Sequence, residues 1–321
     1  MMSTTDPVAP SPLDMMTAVR LHAKGDPRAL ALERVAIPHP RAGEAVVRVH
    51  AAAITRDELQ WPAEHLPATP CHEFAGTVAA VAVDVRDLAV GDSVYALGPF
   101  DRDGAAAEFV RVPAAVLAHR PLGTSDVESA AIPLAALSAG QALFDHGRLQ
   151  SGQRVLVHGA AGAVGAMAVQ LAVARRAHVV ATTSAAGASA VRLLGADRVV
   201  VHDHERFEDV AQDVDLVIDT LGHDMLQRSL AVLRRGGRFV TIAAEPDAAA
   251  KALARRHGVT TIFFIVSPCR EQLERITSFV ESGELAPTVD RVFEFADARA
   301  AFERSLDRVH AGKVVLRVAS G

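Results

Sequence analysis

The segment Arg154-Val-Leu-Val-His-Gly159-Ala-Ala-Gly162-Ala-Val-Gly165-Ala-Met-Ala-Val-Gln-Leu-Ala172 constrains this 321-residue chain more than any other. An unbroken apolar run reads as a buried strand, and it feeds a turn of glycine and alanine that opens a helix. Gly162 lets the backbone approach a pyrophosphate, and Gly165 lets the helix pack close to the strand. The free N–H groups and positive dipole end of that helix then face the ligand. Ala160 stands where the GxGxxG pattern has its first glycine. Alone, such a turn is unspecific; with a strand before it, a helix after it and a βαβ rhythm around it, it predicts dinucleotide binding. Val155 to Ala174 has no Asp, Glu, Lys or Arg over a length near the ~20 residues of a membrane span. The three glycines argue for strand, turn and helix instead, so no membrane span is expected.

Apolar runs recur at His178–Thr182, Arg198–Val201, Leu216–Thr220, Arg238–Ala243 and Val259–Val266, separated by helical stretches. With Val155–His158 they make six strands, the pattern of a doubly wound parallel sheet in an α/β fold. The first part of the chain reads differently. Short alternating runs at Thr17–Leu21, Leu30–Val35, Glu44–Ala53, Phe74–Val83, Ser93–Leu97 and Ala105–Val112 are punctuated by Gly43-Glu44, Gly91-Asp92 and Asp103-Gly104. That predicts a small, partly open β-barrel. After Pro287 come a strand Val289–Phe295, a helix with an apolar face at Ala298, Phe302, Leu306 and Val309, and a strand Lys313–Val318. This tail is expected to rejoin the first unit. The expected division is 16–133 with 286–321 for the barrel unit and 134–285 for the dinucleotide unit, behind a flexible tail 1–15.

Thirty-three basic against 38 acidic residues give a formal net charge of −5, so no basic surface is implied for nucleic acid or anionic membrane. A small-molecule partner is the expectation. Two cysteines supply neither a disulfide framework nor a four-thiolate zinc lobe, which fits a reducing, cytoplasmic setting. The proline-rich start lacks the charged and apolar regions of a secretory signal.

The end of the second strand of the dinucleotide unit bears on coenzyme choice. NAD sites place an Asp or Glu there to hold the ribose 2′-OH. Here the strand ends Ala181-Thr-Thr-Ser184, without a carboxylate, which admits the 2′-phosphate of NADPH and leaves Ser184 as a donor to it. The alternative is that Ser184 caps the following turn.

Taken together, Pro70-Cys-His-Glu-Phe-Ala-Gly-Thr-Val78, Val90-Gly-Asp-Ser-Val-Tyr95, Ala130-Ala-Ile-Pro-Leu134, Gly159-Ala-Ala-Gly-Ala-Val-Gly165, Leu194-Gly-Ala-Asp197, Asp219-Thr-Leu-Gly222 and Gly312-Lys-Val-Val-Leu316 resemble the medium-chain dehydrogenase/reductase superfamily. Within it, the chain is most similar to the zinc-lacking NADPH:quinone oxidoreductases. The resemblance implies a GroES-like barrel beside a Rossmann domain, with substrate and nicotinamide in the cleft between them, and a homodimer through the Rossmann sheet edge near Val259–Val266. Zinc-dependent relatives use a Cys, a His and a second Cys; the matching positions are Thr55, His72 and Leu134, so no catalytic metal is implied. Carried over residue by residue, Thr55 faces nicotinamide or substrate, and Asp57 takes the place of a proton-relay hydroxyl. The coenzyme set implied is Ser138, Gly162, Ala163, Val164, Gly165, Ser184, Leu221, Gly222, Ala243, Phe264, Val266 and Lys313, with His202 serving the 2′-phosphate where relatives have Tyr. Trp61, His72 and Phe100 suggest an apolar substrate pocket. The implied function is NADPH-dependent, zinc-independent hydride transfer to a quinone or other α,β-unsaturated carbonyl. Alternatives are an enoyl-thioester or polyketide-type reductase, whose relatives often use a Tyr acid, and a non-catalytic NADPH-binding redox sensor.

Overall fold

A computed structural model describes residues 14–307 and 311–319. Of the expected tail, residues 1–13 lie outside the described residues, as does Val309. The strands are β1 Met15–Leu21, β2 Leu30–Ala36, β3 Glu44–Ile54, β4 Glu73–Val81, β5 Ser93–Leu97, β6 Phe109–Pro113, β7 Ala118–His119, β8 Arg154–His158, β9 His178–Thr183, β10 Arg198–Val201, β11 Val214–Asp219, β12 Leu233–Thr241, β13 Thr260–Phe263, β14 Val289–Glu294 and β15 Lys313–Arg317. The helices are α1 Asp126–Ala130, α2 Pro133–Gly140, α3 Ala163–Ala174, α4 Ala188–Leu193, α5 Met225–Ser229, α6 Ala248–Arg256, α7 Arg270–Glu281 and α8 Ala298–Leu306.

Strands β8 to β13 form one parallel sheet in the order β10-β9-β8-β11-β12-β13. Counted from β8 this is 3-2-1-4-5-6, the doubly wound order whose switch point lies between β8 and β11. Ligands bind outside the carboxyl ends of such strands, where the glycine turn after β8 sits.

The barrel sheet runs β14-β15-β3-β4-β5-β7, with β6 also on β3 and the β1–β2 hairpin as a separate sheet. Its longest strand, β3, buries Ala51, Ala52, Ala53 and Ile54, and these small side chains let neighbouring backbones close in. Gly76 of β4 is needed for that approach, since a Cβ there would lie 2.0 Å from the Arg48 carbonyl oxygen. The tail returns as expected: β15 pairs antiparallel with β3, β14 pairs with β15, and Phe302 of α8 is buried against them. Leu306, read as part of the buried face, is 41% exposed.

Several strand limits differ from expectation: β12 begins at Leu233 rather than Arg238 and ends at Thr241 rather than Ala243, and β11 runs Val214–Asp219 rather than Leu216–Thr220. The run read as a strand from Ala105 begins only at Phe109, because the Ala105 and Ala106 amides bond the Cys71 and Pro70 carbonyls. The last parallel strand ends at Phe263 rather than Val266, because the following residues turn toward α2.

Candidate functional site

After β8 the chain turns through Gly159 at φ +73°, where a Cβ would fall 2.3 Å from Thr220 Oγ1. Gly162 is the N-cap of α3 and offers no side chain to the helix. The amides of Ala163, Val164 and Gly165 therefore have no carbonyl four residues back inside the helix. A Cβ on Gly165 would sit 2.2 Å from the Gly159 carbonyl oxygen. Strand end, turn and helix are thus pressed together, leaving a side-chain-free cradle with free donors. It fits the pyrophosphate of a nicotinamide dinucleotide. Gly159 is legible in the sequence as the first glycine of the turn but is not among the residues assigned there to the coenzyme.

The neighbouring strand end is built by Asp219. Its buried carboxylate accepts from the Leu221 and Gly222 amides at 3.0 and 3.1 Å and from the Thr241 hydroxyl at 2.9 Å. Thr241 in turn accepts from the Ala243 amide at 3.2 Å. Burial raises the Asp219 pKa against these bonds. Leu221, Gly222 and Ala243 are thereby lined up beside the glycine turn. Beneath them His158 is fully buried, with both ring nitrogens on Thr182 and Ser229 hydroxyls, and burial depresses its pKa to about 3.

Where the adenosine is expected, Ser184 follows β9 and makes no side-chain cap bond, so its hydroxyl is not used in the way an ordinary N-cap would use it. A carboxylate is nevertheless present. Asp203 accepts from the Ala185 amide at 2.6 Å, beside His202, whose Nδ1 is 3.8 Å from Asp203. Sequence reasoning looked for an acid only at the end of β9 and missed this one, delivered from the turn after β10.

Where the family resemblance expects the nicotinamide, Ser138 is buried on α2 and Phe264 packs on His146 with ring centroids 4.3 Å apart. Gln141 holds Ser267 by both its amide N–H and its carbonyl, at 3.0 and 2.8 Å, which fixes the segment carrying Phe264 and Val266.

The barrel side holds a closed polar network. Lys313 is 5% exposed; its ammonium pairs with Glu73 and donates to Thr55 Oγ1 at 2.7 Å, and Glu73 also accepts from the Leu134 amide at 2.9 Å. Lys313, which the family resemblance places at the coenzyme, has its charge engaged here by Glu73 and Thr55, tying β15 to β3, β4 and the start of α2. Two of the three family zinc positions, Thr55 and Leu134, therefore serve this network. The third, His72, has Nδ1 3.1 Å from the Pro99 carbonyl, which can only accept, so Nδ1 donates; burial lowers its pKa and keeps the ring neutral. Among the described residues no group of three or more His, Cys, Asp or Glu is placed to hold a metal. One imidazole does not fit a catalytic zinc.

The predicted pocket residues do come together. Trp61, His72 and Phe100 have ring centroids 5.2 to 6.1 Å apart and line one pocket. Asp57 does not join them: it is exposed, with φ 64° and no capping bond. Its left-handed backbone turns the next residue, Glu58, inward instead. Glu58 is 7% exposed and lines the same pocket, and burial pushes its carboxyl up to about 8 against the opposing pull of Lys313. Tyr95 is fully buried, donating to the Leu273 carbonyl at 2.8 Å and contacting Thr277 Oγ1 at 2.9 Å, so it is engaged away from the pocket.

Comparison with known proteins agrees with this architecture. The alcohol dehydrogenase GroES-like domain model matches residues 41–122, and the zinc-binding dehydrogenase model matches residues 194–316. A probable zinc-binding oxidoreductase, mitochondrial, of Arthroderma benhamiae is 31% identical over 86% of this chain and 88% of its own length. The NADPH-dependent alkenal/one oxidoreductase, chloroplastic, of Arabidopsis thaliana is 30% identical over 88% of this chain and 74% of its own. Among solved structures, the quinone oxidoreductase from Coxiella burnetii superposes with a TM-score of 0.87 at 26% identity, covering 95% of this chain and 99% of that one. The chain belongs to the medium-chain dehydrogenase/reductase superfamily, in its NADPH:quinone oxidoreductase-like branch, and is an oxidoreductase.

Proposed function

We propose that this protein is a metal-independent, NADPH-dependent reductase of quinones and other α,β-unsaturated carbonyls. The observation that carries the reading is the Glu73–Lys313–Thr55 network, which fills positions where a catalytic metal would need ligands. When bound, the nicotinamide supplies a hydride. Adding it to the far carbon of a C=C conjugated with a carbonyl puts negative charge on a delocalised enolate. That reaction needs a hydrogen-bond donor and a proton, whereas reducing an isolated carbonyl calls for a stronger electrophile. The glycine turn and α3 amides hold the pyrophosphate, Leu221 to Ala243 flank the coenzyme, and Trp61, His72 and Phe100 offer flat apolar surface to a conjugated substrate. The Arabidopsis and Coxiella relatives are named for substrates of this kind. Tyr95, held by Leu273 and Thr277, is not available as the acid of the enoyl-thioester alternative. Oxidation of NADPH by a panel of quinones and enones, but not by enoyl thioesters, supports the proposal; binding without turnover of any of them supports a redox sensor instead.

NADPH preference rests on the missing acid after β9 and the uncapped Ser184 hydroxyl. Asp203 works against it, because a carboxylate beside the Ala185 amide repels a 2′-phosphate. Asp203→Asn is expected to tighten NADPH binding by about fivefold while leaving NADH binding nearly unchanged, as removal of one nearby like charge worth ~1 kcal/mol would do. Calorimetric titration with both coenzymes checks it.

The same reading includes the domain limits 16–133 with 286–321 and 134–285, supported by the return of β14 and β15 to β3. It also includes a cytoplasmic setting, consistent with the free thiols of Cys71 and Cys269, and a homodimer through the open edge of β13. Among the described residues no helix is long and apolar enough to cross a membrane.

A further inference from the structure

The proton that completes the reduction has no source among Thr55, His72 and Tyr95. Thr55 is tied to Lys313, neutral His72 gives its one N–H to Pro99, and Tyr95 is held by Leu273 and Thr277. Three acids line the pocket, Glu58, Glu64 and Asp103; Glu64 and Asp103 are exposed, and Glu58 alone among them is buried. Asp57 at φ 64° reverses the chain after β3, and the tight turn Glu58–Gln60 begins with Glu58 pointing inward. Its Oε1 is buried without any hydrogen-bond partner, on the same pocket as Trp61, His72 and Phe100. A buried carboxylate with a bare oxygen is costly, whereas a carboxylic acid at that place is a neutral donor waiting for an acceptor.

We propose that Glu58 is the general acid of this site, giving its proton to the carbonyl oxygen of the reduced substrate. The inference rests on the reductase reading above. Hydride forms a C–H bond at the far carbon of the conjugated C=C, whose π electrons shift to leave an enolate oxygen. The Glu58 O–H bond breaks, the enol O–H bond forms, and Glu58 is left as a carboxylate. For a quinone the product is the hydroquinone; for an enone the enol tautomerises to the saturated ketone. The field of Lys313, already paired with Glu73, favours the ionised form of Glu58 and offsets part of the cost of forming the new charge. Water reloads the acid between turnovers.

The charged and titratable groups around Glu58 are Lys313 of β15, Glu73 of β4 and the Cys71 thiol, itself pushed up by burial and so neutral. Lys24, Glu64, His65, His72, Arg102 and Asp103 also line the pocket. The acid must be protonated to act, so the rate holds at neutral pH and falls above about pH 8.

Glu58→Gln keeps the shape and removes the transferable proton. The expected result is a kcat loss of about 100-fold or more, with coenzyme affinity and thermal midpoint retained and the fall above pH 8 abolished in the residual rate. Glu58→Asp restores part of kcat and the alkaline limb. Independently of turnover, infrared difference spectra of the coenzyme-free protein are expected to show a protonated-carboxyl C=O band at pH 6.5 that titrates near pH 8 and is absent from Glu58→Gln. A variant with unchanged kcat and pH profile, or a wild-type protein without that band, overturns the role of Glu58 while leaving enone reduction standing. A wild-type protein that shows the band but reduces no quinone or enone overturns the reductase reading, and with it this role.

Discussion

Lys313→Met lowers the stability of the fold by about 3–5 kcal/mol, because it leaves a buried carboxylate without its counter-charge. Both side chains are out of water, Lys313 at 6% and Glu73 at 1% of their exposed area. Methionine preserves the stem but removes the ammonium, along with the bond to Thr55 Oγ1. Glu73 then retains only the Leu134 amide and the weak 3.3 Å contact from Thr55. The pair joins the last strand, the two central barrel strands and the first turn of α2, so its loss loosens the junction beside the proposed cleft. Glu73→Gln combined with Lys313→Met is expected to recover most of the loss, since no unpaired charge remains. Urea unfolding of the single and double variants checks both statements. A loss below ~1 kcal/mol for Lys313→Met would mean that the pair behaves as a solvent-screened one.

Two glycines separated by three positions are expected to fail in different ways. A Cβ at Gly165 meets the Gly159 carbonyl oxygen at 2.2 Å, a backbone contact that only a shift of α3 relieves. Gly165→Ala should therefore cost about 1–3 kcal/mol of stability, and it displaces the cradle that holds the pyrophosphate. At Gly162 the same atom meets that oxygen at 3.3 Å, and φ is −74°, a value any residue adopts. Gly162→Ala should cost less than about 1 kcal/mol in the free protein, since the neighbour has only a few tenths of an ångström to give. Its methyl group nevertheless stands where the coenzyme backbone must approach, so coenzyme affinity should fall by about 100-fold, or ~3 kcal/mol. Thermal unfolding with and without NADPH separates the two cases: Gly162→Ala keeps its midpoint and loses the coenzyme-induced rise, whereas Gly165→Ala loses both.

Much of this was legible because buried parallel strands are written as unbroken apolar runs. The glycine turn, the six strands from β8 to β13 and the return of the last strand to the barrel unit followed from local pattern, whereas the pocket of Trp61, His72 and Phe100 came with the family resemblance. What escaped depended on contacts between distant segments or on one backbone angle. Nothing local distinguishes Asp57 from Glu58; the left-handed conformation at Asp57 decides which of the two acids enters the pocket. Asp203 reaches the Ala185 amide only because β9 and β10 are neighbours in register. Nothing local to Lys313 announces its buried partner; β15 must lie against β3 before its ammonium meets a carboxylate 240 positions earlier. The strand expected from Ala105 starts late for the same kind of reason, since its first amides are claimed by the Pro70–Cys71 loop.

The most direct test is to follow deuterium from 4-deuterated NADPH into the product of a simple enone, using protein dialysed against a strong chelator and checked for metal by mass spectrometry. Deuterium at the carbon β to the carbonyl, with undiminished turnover at metal contents far below one per chain, is the predicted result. Deuterium at the carbonyl carbon of an alcohol, or turnover that returns only when zinc is added, would contradict it.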